Sequence, residues 1–127
     1  MAVHDAVVAA RAFAERAGID HAAGPRLAIV VEELVTNLYD HGGLRADDAF
    51  DLELSSNGAE VRFALSAPGP EFDPWLPVFG RKPSSTGAGA GLELVKAWSS
   101  LLEHDYANGR NRLALTLPIS GRPLSGR

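Results

Sequence analysis

Apolar residues Val7, Val8, Ala12 and Phe13 fall at helical spacing within residues 5–17, and Gly18 ends the pattern, which predicts a first helix. Gly24-Pro25 opens a second run, in which Leu27, Val30, Val31, Leu34 and Leu38 form an apolar stripe of 3.6-residue period reaching His41. Glu33, Asn37, Asp40 and His41 lie along an adjoining edge of that predicted helix. The period then changes. Residues 49–55 and 60–66 alternate apolar and polar around Asn57-Gly58, a strong hairpin turn, and are expected to be antiparallel neighbours. Residues 68–83 hold no sustained period and are rich in Pro and Gly, which predicts a long loop of the kind that is usually functional or mobile. Leu92, Leu94, Val95 and Trp98 predict a third helix entered from a glycine cluster, and residues 101–106 and 112–118 predict a second hairpin around Asn108-Gly109. Helices segregated from antiparallel hairpins predict an α+β fold: a two-layer sandwich, its mostly antiparallel sheet covered on one face by helices.

Size and charge narrow the picture further. A chain of 127 residues with 46% hydrophobic content is long enough for one core and too short for two ordinary domains, so residues 1–127 are expected to form a single domain. The net charge of -4 and the lack of any Lys/Arg run argue against nucleic acid, because phosphate backbones need clustered cations. The absence of cysteine excludes a disulfide framework and a thiolate metal site. Residues 1–10 lack the basic and long apolar stretches of a signal peptide, and no segment approaches the roughly 18 apolar residues of a membrane span. A cytoplasmic protein with no membrane partner is the expectation.

Two groups of residues carry candidate chemistry. Glu33 and Asn37 are four apart, so a helix stacks them on one face, from which a base and a metal ligand could address one phosphate. Taken alone, that spacing equally describes the solvated edge of an amphipathic helix. Glu32 points about 100° away and is the poorer base candidate. His41 extends the same edge; at a helix C-terminus a histidine also serves as a cap favoured by the dipole. No histidine falls in a metal-ligand spacing. Gly87, Gly89 and Gly91 supply backbone freedom and exposed amides just ahead of a helix N-terminus, an arrangement suited to phosphate and also to a plain hinge. The cluster is no Rossmann fingerprint, since Leu92 occupies the third glycine position, and no Walker sequence, since no Gly-Lys-Ser/Thr follows.

Three segments stand in a recognisable order: Glu33-Leu34-Val35-Thr36-Asn37 with His41, then Gly69-Pro70-Glu71-Phe72-Asp73-Pro74, then Gly87 to Val95. Together they resemble the Bergerat-fold ATPase superfamily of gyrase, the heat-shock chaperone, histidine kinases and mismatch-repair ATPases. The short length and the runs Phe72-Asp73-Pro74 and Asn37-Leu38-Tyr39-Asp40-His41-Gly42 look most like the small anti-sigma-factor serine/threonine kinases. The resemblance covers nearly the whole chain, leaving residues 120–127 as an expected flexible tail. It implies ATP and Mg2+ as cofactors, Glu33 as general base and Asn37 as the magnesium ligand. It further implies His41 as site-lining, Gly69 and Phe72 at the adenine, and Gly87, Gly89, Gly91 and Leu92 around the triphosphate. Residues 75–86 are then expected to order when nucleotide binds. The implied activity is an ATP-dependent protein kinase of a bacterial partner-switching pathway. Its partners would be an antagonist protein bearing the acceptor Ser or Thr, and a sigma factor; a homodimer is left open.

Two departures from the family pattern stand out. The family places an Asp two residues before the first glycine of the second segment, where it accepts from the adenine amino group, and this chain has Ala67. Strand alternation is expected to turn the adjacent Ser66 to the opposite face. A Thr often seen after the glycine of the terminal hairpin is also absent. These departures keep a second class in view, a non-catalytic Bergerat domain that binds a partner without turning over ATP. A third reading, a detached histidine-kinase ATPase domain, would need a separate dimerisation and phosphoacceptor module.

Overall fold

A computed structural model describes residues 3–73 and 88–119, excluding the side chains of 88–92. The chain runs through helices α1 (Val3–Arg16) and α2 (Ala23–Asp40), strands β1 (Asp51–Ser56) and β2 (Glu60–Pro68), helix α3 (Ala88–Trp98), and strands β3 (Ser100–Ala107) and β4 (Arg110–Pro118). The four strands form one antiparallel sheet in the order β1-β2-β4-β3. The helices cover one of its faces, so the expected α+β sandwich is the observed fold.

The buried stripe of α1 is not the one its larger side chains suggest. Ala6, Ala10 and Ala14 are buried, whereas Val8 is 51% exposed. Alanines four residues apart make a shallow ridge on one helix face, which lets α1 lie close against α2. Phe13 packs only against the margin of the core. In α2 the expected stripe does form the core: Leu27, Val30, Val31, Leu34 and Leu38 are all buried, joined by Val35. The helix starts two residues before Pro25, because Asp20 Oδ1 accepts from the N–H groups of Ala22 (3.0 Å) and Ala23 (2.7 Å). Pro25 then falls in the first turn, where a missing N–H costs nothing.

Both predicted hairpins are present. Asn57 Oδ1 closes the first by accepting from Ala59 and Glu60 N–H (2.9 and 3.0 Å), and Asn108 and Gly109 take φ of 55° and 74° in the second, as a type I′ turn requires. The hairpins join through β2 and β4, whose pairing runs without interruption from Glu60↔Pro118 to Ala67↔Asn111 and Pro68↔Arg110. Val61, Phe63, Leu65 and Ala67 of β2 and Leu113, Leu115 and Leu117 of β4 face the helices. Strand β2 thus continues beyond Ser66, where the alternation predicted its end, and this extension carries Ala67 to the edge of the candidate site.

Candidate functional site

Helix α2 sorts its adjacent glutamates by exposure: Glu32 is exposed and Glu33 is half-buried. One turn on, Asn37 is only 4% exposed; it and Asn111 are the two buried polar side chains among the described residues. Asn37 also marks where the helix ends, since its carbonyl accepts from His41 N (2.9 Å) and Gly42 N (3.1 Å). His41 itself is exposed.

The second segment lies directly against that helix end. A Cβ built on Gly42 would sit 2.8 Å from Phe72 Cδ2 and 3.1 Å from the Leu38 backbone, and one on Gly43 would sit 2.9 Å from Pro70 Cδ. Gly69 combines φ of 136° with an approach to Gly42 O that leaves 3.2 Å to a built Cβ, so it meets both reasons for a glycine. The fold therefore places Gly69 and Phe72 against Gly42, just beyond the helix end that Asn37 marks. Gly42→Ala is expected to force the Phe72 ring aside and to cost about 1–3 kcal/mol, the usual range for overpacking. Thermal unfolding checks this, and an unchanged Tm would mean that the ring moves without penalty.

The β3–β4 hairpin grips the same segment from the other side. Asn111 Oδ1 accepts from Phe72 N–H at 2.8 Å, and Asn111 Nδ2 donates to Pro70 O at 2.8 Å. Tyr106 donates its hydroxyl to Gly69 O (2.9 Å), and Gly69 N–H donates to Gly109 O (3.2 Å). His104 Nε2 lies 3.2 Å from Phe72 O, with its Nδ1 3.8 Å from Asp73 Oδ2. Sequence reasoning missed His104, Tyr106 and Asn111. For Asn111 the signal was present: in the alternation of β4 it falls in phase with Leu113, Leu115 and Leu117, a polar side chain on the apolar face.

Ala67 sits across from Asn111 on that face and is fully buried. Ser66 is on the opposite face, as the alternation predicted, where its hydroxyl accepts from Arg110 Nε at 2.9 Å. It does not stand in for the missing carboxylate.

The third segment is more helical than the glycines suggest. Helix α3 begins at Ala88, so Gly89, Gly91 and Leu92 lie within its first turns, while Gly87 and residues 75–86, expected to order with nucleotide, lie outside the described residues. The N–H groups ahead of the fourth helical residue have no intrahelical acceptor, so the helical start keeps the amides of residues 88–90 able to meet an anion. At the other end of α3, Arg26 of α2 lies over the Trp98 ring, 5.4 Å from its centre, and Val95 is fully buried in the core.

A trough of about 760 Å³ lies on the uncovered face of the sheet, away from these segments, with Ala64 and Ala114 in its floor. Its charges answer one another: Arg112 Nε is 2.8 Å from Asp105 Oδ1, and Arg62 is 3.8 Å from Glu103. The Arg112 hydrogen bond, with the guanidinium charge, holds the exposed Asp105 carboxyl below its ordinary range. Mutually paired, exposed charges describe a solvated face. Among the described residues no group of three His, Cys, Asp or Glu is placed to hold a metal ion, and no helix is long and apolar enough to cross a membrane.

Comparison with known proteins bears on the whole arrangement. A family model described as a histidine kinase-like ATPase domain matches residues 2–117. The catalytic domain of histidine kinase ThkA is similar in fold, with a TM-score of 0.53 and 16% sequence identity over 75% of this chain and 67% of that one. No curated protein matches the sequence.

Proposed function

Since the chain belongs to the histidine kinase-like ATPase domain family, we propose that it binds ATP with magnesium at the junction of α2, the 69–73 segment and the start of α3. The observation that carries this reading is the packing of Gly69 and Phe72 onto the helix end next to buried Asn37. Glu33 and Asn37 offer hard oxygen donors of the kind magnesium accepts alongside phosphate oxygens. When bound, the ion would neutralise charge on the phosphates, with Asn37 as its protein ligand. Glu33, half-buried one turn earlier, would take the proton of the attacking hydroxyl.

Within the family we propose a serine/threonine kinase of the anti-sigma-factor type, cytoplasmic, acting on an antagonist protein and alternatively binding a sigma factor. The runs around His41 and Phe72 support this reading. Ala67 favours a second reading, a partner-binding domain that no longer turns over ATP, because a buried methyl group makes no hydrogen bond to a base.

Ala67→Asp tests the base side. The native protein is expected to bind ATP weakly and to discriminate poorly against GTP. The variant should strengthen ATP binding by about 1–3 kcal/mol, the range for satisfying a buried donor, and leave GTP unchanged, since guanine presents a carbonyl where adenine presents its amino group. Without nucleotide the same carboxylate faces the core, so the variant should also unfold more easily. Equal gains for ATP and GTP would move base recognition away from residue 67.

A further inference from the structure

We infer that Asn111 is a positioning residue for nucleotide binding: its buried amide holds the 69–73 segment in the shape that forms the base-side wall of the site. The inference rests on the nucleotide-site reading above and concerns a residue which that reading does not use.

A carboxamide on the apolar face of a central strand is costly unless its polar atoms are satisfied. Asn111 satisfies them with the backbone of one short segment, pairing its oxygen with Phe72 N–H and its nitrogen with Pro70 C=O, both at 2.8 Å. The side chain thereby acts as a peptide group of a neighbouring strand would, and it fixes two backbone groups on either side of Glu71. The other grips on the segment, from Tyr106 and Gly109, act on Gly69. His104 also meets the Phe72 backbone, through its carbonyl. The held segment in turn touches the end of α2, with Phe72 over Gly42 and Gly69 against Gly42 O. Asn111 therefore links the β3–β4 hairpin to the wall that stands just beyond the helix end that Asn37 marks. Ala67, its partner across the strands, has no group with which to do so.

A chemical property separates positioning from mere core filling. In Asn111→Asp the carboxylate still accepts from Phe72 N–H but sets a second acceptor against Pro70 C=O. Protonation restores a donor there, and burial raises the pH at which that happens. The test is calorimetric titration of ATP with magnesium into the wild-type protein, Asn111→Asp and Asn111→Ala, at about pH 5.5 and about pH 8, bracketing a raised carboxyl pKa. Thermal melts run alongside. Expressed as the ratio to wild-type Kd at each pH, Asn111→Ala should bind roughly tenfold more weakly at both. Asn111→Asp should match the wild type at the lower pH and approach the alanine variant at the higher one. If Asn111→Ala does not fold, the ratio for Asn111→Asp at the two pH values decides alone.

A pH-dependent Tm in Asn111→Asp with an unchanged affinity ratio would reduce Asn111 to a structural residue and overturn the inference. Wild-type binding with all variants alike would overturn it while leaving the nucleotide site standing. No wild-type binding at either pH would remove both.

Discussion

Glu33→Gln is expected to slow phosphoryl transfer from ATP by about 10²–10⁴-fold, the usual contribution of a positioned general base. Nucleotide affinity should stay within about twofold, because the lost interaction belongs to the transition state. The amide keeps the shape of the side chain and removes only its capacity to take a proton. Glu32→Gln is the internal control: one residue earlier and exposed on another side of α2, it should leave turnover unchanged. Single-turnover transfer of phosphate from ATP to the protein substrate, with affinity measured separately, distinguishes the two variants. If they lose activity equally, the base role does not belong to Glu33. If neither does, the base is neither of these glutamates.

The largest effect on stability is expected from Phe63→Ala, at about 3–5 kcal/mol, the cost of deleting a buried aromatic side chain. Phe63 is fully buried at the middle of β2, between Leu54 of β1 and Leu115 of β4 in register, and its ring faces the helices. The melting temperature should fall by roughly 10–20 °C for a chain of this size, and chemical denaturation should show a lower midpoint with the same slope. A loss below about 1 kcal/mol would mean that α2 settles onto the sheet and that the core is less rigid than its burial suggests.

The features legible in the sequence are those set by short-range periodicity. The α2 stripe, both hairpin turns and the opposite orientations of Ser66 and Ala67 follow from spacings of two to four residues, and β2 keeps its alternation because no bulge interrupts its pairing with β4. The pairing of β2 with β4 joins residues more than forty positions apart along its whole length, and local pattern does not encode it. The buried face of α1 was hidden because alanine is a weak hydrophobic signal beside Val7, Val8 and Phe13, although its small size is what close helix packing selects. Helix α3 starts earlier than expected because glycine's low helix propensity is a weak preference that tertiary context overrides; Val95 and Trp98 supply that context. In the candidate site, Glu33, Asn37, Gly69 and Phe72 were readable as motif positions. His104 and Tyr106 were not, because their roles consist of contacts across the fold to the backbone of residues 69–73, and for Asn111 the β4 alternation signals a polar residue on the apolar face but not the backbone it holds.

Calorimetric titration of ATP and GTP into the wild-type protein and into Asn37→Ala, each with and without magnesium, tests the nucleotide site most directly. Buried Asn37 beside the glycine-bearing wall predicts magnesium-dependent binding to the wild-type protein with a marked loss in Asn37→Ala, and Ala67 predicts that this binding is weak with little preference between the two nucleotides. No detectable nucleotide binding to the folded wild-type protein, or binding that Asn37→Ala leaves untouched, would contradict it.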